Sequence, residues 1–255
     1  MPTVLVDKPQ PQVTRLTLSR PERRNALTIE LMTELCDAID AVSAVAEQRV
    51  LILRGAGKAF CTGLDLQEAG EPEKAHRSAE MVAKTLLTIS QTRLITIASV
   101  HGAAVAGGAG IMSACDFVVA AERTKFGYPE AKRGLVAGLV LTFLRRQLRE
   151  RDVRELLFTG DLIDADRAKE IGLVNRVVPP GELDGEVQKL IASILQGAPG
   201  ALASSKRLLE ELCSTSVQED IETALRHHME ARESKEAREG IAAFLEKRPP
   251  KWAPQ

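Results

Sequence analysis

Two runs in this chain can only be buried strands. Residues 49–54 (RVLILR) set four consecutive aliphatics between arginines, and residues 95–100 (ITIASV) are almost as apolar. Neither alternates polar with apolar, so each must be covered on both faces. Each also runs straight into glycines: Gly55 and Gly57 after the first, Gly102 and then Gly107, Gly108 and Gly110 after the second. Helical spacing fills the intervals. Leu31, Leu35, Ile39 and Val42 share one face behind Thr28, a candidate N-cap, and a second helix is expected around residues 79–90. A small-residue helix follows the second loop to about Cys115, and residues 117–120 form another strand. Strand, loop and helix repeated with right-handed crossovers give an α/β domain with ligand sites at the strand ends.

The ends of the chain read differently. Val4 and Val6, then Val13, Leu16 and Leu18, predict two strands joined at Pro9-Gln10-Pro11, with Pro21 breaking the second. After about Val178 the strands stop. Residues 183–195, 201–213 and 217–233 have helical periodicity, and a last helix runs to Phe244. The chain therefore divides into an α/β core, 1–195, and a helical C-terminal region, 196–255. A helical unit that small cannot bury a core of its own, so it packs on the main domain or on another subunit.

Composition narrows the classes. The 255 residues are 44% apolar but only 3% aromatic, so the core is built from Ala, Val, Leu and Ile. Lys plus Arg number 34 against 35 Asp plus Glu, which lacks the basic excess of a nucleic-acid binder. Cys36, Cys61, Cys115 and Cys213 form no CxxC pair and have irregular spacing, as expected of reduced intracellular thiols. No basic start leads into an apolar stretch, and no window approaches the ~20 apolar residues of a membrane span. The expectation is a cytoplasmic protein without membrane attachment.

The chemistry concentrates in two loops. Loop one is residues 57–66 (GKAFCTGLDL) and loop two is residues 101–110 (HGAAVAGGAG). Glycines let backbone approach a ligand closely, and the helix that follows loop two offers free N–H groups and a partial positive charge. Together these can stabilise an oxyanion. Other glycine motifs fit poorly. A phosphate loop at Gly57-Lys58 would need Ser or Thr where Ala59 stands and Gly where Ile52 stands. A dinucleotide fingerprint at Gly108-Ala109-Gly110 would need Gly where Ser113 stands, and no G-x-S-x-G elbow occurs. The competing reading is that these glycines only permit tight turns and close packing.

In order and spacing, a set of segments resembles the enoyl-CoA hydratase/isomerase (crotonase) superfamily over nearly the whole chain. They are residues 19–27 (SRPERRNAL), 58–66 (KAFCTGLDL), 104–110 (AVAGGAG) with Cys115-Asp116, 126–130 (FGYPE), Thr159-Gly160, 172–175 (GLVN) and 244–248 (FLEKR). The resemblance implies a spiral of ββα units with a C-terminal helical trimerisation region, commonly a dimer of trimers. It implies that the amides of Leu64 and Gly107 hold a thioester oxygen, with backbone donors worth about 3 kcal/mol each as charge builds. Coenzyme A, arriving as part of the substrate, is expected along Arg24, Ala26 and loop one. Backbone of Ala26 and Thr62 would contact adenine and pantetheine, and Arg24 and Lys58 would meet phosphates. Lys247 would reach a neighbour's ligand. No metal or redox cofactor is implied.

Glu130 matches the second of the two glutamates with which hydratases of the superfamily grip water and pass protons. Near an oxyanion site, a desolvated carboxylate can exchange a proton with Cα of the acyl group. The position of the first glutamate is Gly110, which has no side chain. One carboxylate can shuttle a proton between Cα and Cγ, Glu130 alone can manage a hydration, or Glu68, His76 or Glu80 can fill the gap. His76 and Glu80, one helical turn apart, also suit an ordinary surface pair. Asp65 reads as structural, Asp116 as fixing a helix end, and His227-His228 with Glu230 as a solvated helix rather than a metal site. The leading expectation is a hydratase or isomerase acting on an enoyl-CoA. The rivals are a decarboxylase or thioester hydrolase using the same oxyanion hole, and a non-catalytic acyl-CoA binder.

Overall fold

The computed structural model describes residues 2–253. Eight strands and eleven α-helices alternate along the chain: β1 (Val4–Gln10), β2 (Val13–Leu18), α1 (Ile29–Ser43), β3 (Val50–Gly55), α2 (Leu66–Ala69), α3 (Pro72–Gln91), β4 (Ile95–Val100), β5 (Ala103–Val105), α4 (Gly107–Ser113), β6 (Phe117–Ala121), β7 (Lys125–Gly127), α5 (Gly138–Gln147), α6 (Glu150–Thr159), α7 (Ala165–Glu170), β8 (Arg176–Val178), α8 (Leu183–Leu195), α9 (Pro199–Glu211), α10 (Val217–Arg232) and α11 (Lys235–Leu245). Six strands form the main sheet in the order β1-β2-β3-β4-β6-β8. Only β1 and β2 pair antiparallel, and the other neighbours are parallel.

The two apolar runs are the centre of this sheet, with Val50 opposite Ile95 and Leu53 opposite Ala98. Their side chains divide between two cores. Val13, Val50, Ile52, Ile97 and Val119 face Leu183, Val187, Leu190 and Ile191 of α8. Leu16, Leu18, Leu51, Leu53, Ala98 and Val100 point the other way into the larger core with Leu31, Leu35 and Ile39 of α1. That is the period of two along a strand buried on both faces. Thr28 caps α1 as expected, its hydroxyl accepting from Leu31 N at 3.2 Å. No helix among the described residues is long and apolar enough to cross a membrane.

Some expectations need correction. β1 runs on through Pro9 and Gln10, and the turn is Pro11-Gln12. Pro9 falls where the register with β2 shifts, between Asp7 and Gln10, and a bulged edge strand tolerates a proline. Asp116 fixes the start of β4 rather than a helix end. Its Oδ2 accepts from Thr96 N at 2.7 Å, from Thr96 Oγ1 at 2.9 Å and from Lys206 Nζ at 2.8 Å. The second helix starts well before residue 79, at Pro72.

The helical C-terminal part lies against the rest of the chain. α10 packs on α3 and α5, and α11 packs on α2 and on the 3-10 turn Ala131–Arg133. The contact with that turn is backbone to backbone. A methyl on Gly240 would fall 2.4 Å from Arg133 O, and one on Gly134 would fall 2.5 Å from Glu236 O.

Candidate active site

Three chain segments are laid side by side by a short second sheet. β5 pairs parallel with β7, placing Val105 opposite Gly127. On the other side of β5, Cys61 bridges Ala104, with Cys61 N donating to Ala103 O at 3.2 Å and Val105 N to Cys61 O at 3.1 Å. Gly63-Leu64, Ala106-Gly107 and Tyr128-Pro129-Glu130 therefore leave these ladders close together. Ala106 N donates to Gly127 O at 2.8 Å, which ties loop two to the strand that delivers Glu130.

Loop one is shaped by Asn25, which is fully buried. Its Oδ1 accepts from Arg20 N at 2.9 Å. Its Nδ2 reaches the carbonyls of Ala56 and Ala59, both at 2.9 Å, and of Phe60 at 3.1 Å. Arg24 and Asn25 both hold left-handed backbone, with φ of 50° and 55°. Such geometry persists only where surrounding bonds over-determine it. The Cys61 thiol is buried beneath this turn, pointing at Asn25 O at 3.1 Å, and burial pushes it up to about 12, so it is inert.

The amides of Leu64 and Gly107 approach one another because Gly63 has no side chain. A methyl on Gly63 would stand 2.9 Å from Ala106 Cβ and 3.3 Å from Gly107 N, and Gly63 itself needs φ +88°. A methyl on Gly107 would stand 3.9 Å from Leu64 N. Ala106 turns the chain with φ 52° and ψ −128° immediately before α4. Leu64 is fixed on both sides, since Leu27 N donates to Gly63 O and Asp65 N to Leu27 O, each at 2.8 Å. Among the described residues, neither Leu64 N nor Gly107 N has a hydrogen-bond acceptor. Two neighbouring free N–H groups, one at a helix start, can share an anionic oxygen.

Glu130 is partly accessible as a residue, but its Oε2 is sealed from solvent and has no partner among the described residues. Burial raises its carboxyl from 4.5 to about 7, against smaller opposing effects from its own backbone and from Arg133. Its carbonyl accepts from Arg133 N and Leu135 N, and the Arg133 guanidinium holds Pro129 O at 3.1 Å. Arg133 also lies over the Phe244 ring, 4.4 Å from its centroid. Tyr128, fully buried, hydrogen-bonds Ser113 at 3.2 Å and anchors the segment from below.

Gly110 is buried in α4, and the place of a side chain there is taken. A Cβ would fall 2.6 Å from Val140 Cγ1 and 3.6 Å from Leu86 Cδ2. The substitutes weighed from sequence are engaged elsewhere. Glu68 accepts from Ile29 N at 2.9 Å, and His76 pairs with Glu80 at 3.0 Å on the exposed surface. Asp65 caps α2 through Gln67 N and ion-pairs with Arg20 at 3.1 Å and Arg23 at 3.7 Å.

The expected coenzyme contacts cluster on the outer side of loop one. Arg24 and Lys58 are exposed, and the Thr62 hydroxyl points to Arg24 O at 3.4 Å. Ala26 already donates to Arg23 O at 3.1 Å, and its carbonyl accepts from Arg20 at 2.5 Å, leaving one lone pair. Lys247 lies apart, exposed at the end of α11 with φ 56°. No group of His, Cys, Asp and Glu among the described residues could hold a metal. His227 faces solvent beside Glu230, but His228 does not lie on a solvated face. It is buried, with Nδ1 on Val136 O at 3.1 Å. Sequence reasoning missed Asn25, His228 and Arg232, whose partners all come from distant segments.

The second sheet thus brings the Gly63-Leu64 and Ala106-Gly107 turns together and ties the latter to the strand that leads to Glu130. The sequence profile of the enoyl-CoA hydratase/isomerase family matches residues 8–255, and the chain belongs to that family, within the crotonase superfamily. A Thermus thermophilus relative bearing the name of an enoyl-CoA hydratase is 39% identical over 241 residues, covering 92% of this chain and 95% of its own. Crotonyl-CoA hydratase of Syntrophomonas wolfei is 35% identical, covering 91% of each chain. The crystal structure of an enoyl-CoA hydratase from Mycobacterium avium superposes with a TM-score of 0.87 at 33% identity, covering 98% of this chain and 99% of that one.

Proposed function

We propose that this chain is a hydratase or isomerase of enoyl-CoA thioesters, with the Leu64 and Gly107 amides holding the thioester oxygen and Glu130 as the one acid/base. The observation that carries this reading is Glu130. Its Oε2 is sealed and without a partner among the described residues, and Glu130 follows the strand that pairs with loop two, whose Gly107 amide, like that of Leu64, lacks an acceptor among those residues. A carboxyl near neutrality can both take and return a proton at working pH.

In isomerisation, the Glu130 carboxylate removes a Cα proton from a 3-enoyl thioester. The electron pair moves onto the thioester oxygen, where the two amides stabilise it, and Glu130 returns the proton to Cγ as the double bond shifts to Cα–Cβ. In hydration, Glu130 takes a proton from water as the oxygen bonds to Cβ, and the enolate then receives that proton at Cα. Both need one carboxylate. Val140 stands where the side chain of a second would begin. The reading asks for no metal or redox cofactor, and coenzyme A enters with the substrate along Arg24, Ala26, Lys58 and Thr62.

The test offers crotonyl-CoA and a 3-enoyl-CoA to wild type and to Glu130→Gln. Gain of one water reports hydration, and unchanged mass with an altered spectrum reports isomerisation. Loss of turnover in Glu130→Gln, with acyl-CoA affinity within several-fold of wild type, is the expected result. Full activity in that variant removes Glu130 from the mechanism. Binding without turnover across a broad panel would make the chain an acyl-CoA binder.

We also propose assembly as a homotrimer or dimer of trimers in the cytoplasm. Leu208, Leu209 and Leu212 of the α9 segment are 51%, 73% and 75% exposed, an apolar stripe that a second copy can cover. In such an assembly Lys247 can meet a neighbour's ligand. Light scattering of the eluted protein measures the mass, and a monomer would refute this.

A further inference from the structure

Arg232 carries a buried positive charge that meets no counter-charge among the described residues. It closes α10, is only 8% exposed, and has no carboxylate within ion-pair distance among the described residues. Burial alone weakens the hold of its guanidinium on the proton, with no neighbour opposing it. One nitrogen, Nη2, donates to Ala69 O at the end of α2. The other, Nη1, is sealed from solvent and has no partner. One turn earlier on the same helix, His228 is 7% exposed with Nε2 likewise sealed and unpartnered. Its Nδ1 is on Val136 O, so the neutral ring offers only a lone pair, and the guanidinium alone sets the charge a ligand must carry.

An isolated buried cation costs several kcal/mol, far more than one carbonyl cap on a four-residue helix returns. The guanidinium is also shaped for a carboxylate, which it can meet with parallel N–H groups. Its position gives the geometry. α2 begins beside Leu64, and its other end is where Arg232 is pinned. α2 has only four residues, at about 1.5 Å of rise each, so its two ends lie roughly 6 Å apart. His228 is pinned to Val136, between Glu130 and the Val140 that fills the place beside Gly110. Arg232 and His228 are thus fastened to α2 and to the segment after Glu130, the two pieces of chain that follow the Leu64 amide and the carboxylate. The four carbon–carbon bonds of a five-carbon acyl chain, with a hydrogen bond of about 2.9 Å at each end, reach up to about 12 Å, long enough to pass the length of α2.

Resting on the enoyl-CoA reading, we propose that the preferred substrate is a short acyl-CoA whose far end bears a carboxylate, bound by Arg232. The acyl chain then enters between α2 and α10 and exchanges the unpaired guanidinium for a paired one.

Binding of saturated thioesters tests this without requiring turnover. Glutaryl-CoA and valeryl-CoA share a five-carbon acyl chain and differ in ending with carboxylate or methyl. Calorimetric titration of the wild type should give glutaryl-CoA roughly tenfold or more the affinity of valeryl-CoA. Arg232→Met should erase or reverse that ratio, and Arg232→Lys should retain part of it. If Arg232→Met does not fold, the wild-type ratio and Arg232→Lys still decide. Equal binding of the two thioesters by wild type, or a ratio unaltered in folded Arg232→Met, overturns the carboxylate proposal and leaves the enoyl-CoA reading standing. Failure to bind either thioester overturns both.

Discussion

The Cγ1 of Val140 stands 2.6 Å from the point where a Cβ on Gly110 would lie. The missing first carboxylate is thus not a vacant position. An aliphatic group on α5 has closed over it, and Leu86 of α3 supports it from the other side. On the proposed reading the site works with one carboxylate, and adding a second at this position by a single substitution conflicts with the packing.

Gly110→Glu should therefore lose stability rather than gain hydratase activity. Overpacking a filled core costs about 1–3 kcal/mol, and an enclosed carboxylate adds to that. Urea denaturation should show a lower midpoint with an unchanged slope. Val140→Ala alone should also destabilise, by opening a cavity. The double variant should be more stable than the sum of the two by more than about 0.5 kcal/mol, since each change relieves the other. Strict additivity would mean that Val140 does not occupy that place.

Glu130 links stability to pH in a direction that can be worked out. Its carboxyl is raised from 4.5 to about 7 by burial, so between those values the folded protein keeps a proton that the unfolded chain releases. Stability then falls as pH rises through that window, by at most about 3 kcal/mol, and stays lower above it. Glu130→Gln has no such proton. Its stability advantage over wild type should grow from pH 4.5 to 7 and then level off, as read from denaturation midpoints across pH. Turnover has the opposite slope, because the base must be ionised. The kcat/KM of wild type should rise with pH to a plateau above about 7. A flat stability difference would show that the carboxyl is hydrated.

Much of the frame was legible because it rests on local chemistry. The apolar runs at 50–55 and 95–100 have no alternative to burial, and Thr28 can cap a helix wherever one follows. β5 and β7 were not legible. Each has three residues, and each becomes a strand only by pairing with the other and with loop one. Residues 131–178 carry three helices and β8 but offered little beyond two glycine landmarks. Of the candidate site, Leu64, Gly107 and Glu130 could be named only through the resemblance of their segments to the crotonase superfamily. Asn25 stood out only as part of the 19–27 segment, and nothing in the sequence singled out Arg232. What makes them significant is which distant carbonyls they meet: Ala56, Ala59 and Phe60 for one, Ala69 for the other.

Asn25→Ala should lower stability by on the order of 2–4 kcal/mol. It deprives several buried carbonyls of their donor, and alanine holds left-handed backbone less readily than asparagine. Asn25→Asp should fare no better, because it replaces that donor with a buried acceptor. Loop one should loosen first, so hydrogen exchange at Phe60 and Cys61 should quicken more than at β3 or β4. Uniform acceleration along the chain would show that Asn25 is only one core contact among many.

Gly63→Ala tests the amide pair directly. The added methyl would lie 2.9 Å from Ala106 Cβ and 3.3 Å from Gly107 N, so relief requires the two loops to separate. It would also force alanine to φ +88°, a strain of about 1–2 kcal/mol. Strain alone can be controlled for. Gly172 has φ +86°, and the only neighbour its methyl would meet is Gln147 O at an ordinary 3.9 Å. Gly172→Ala should therefore lose similar conformational free energy and keep wild-type kinetics. Folded Gly63→Ala should lose about 10²-fold or more in kcat, the size of effect seen when one oxyanion donor is removed, while binding of the free coenzyme changes little. If Gly63→Ala and Gly172→Ala melt alike and also turn over alike, the closeness of Leu64 N and Gly107 N has no part in the chemistry.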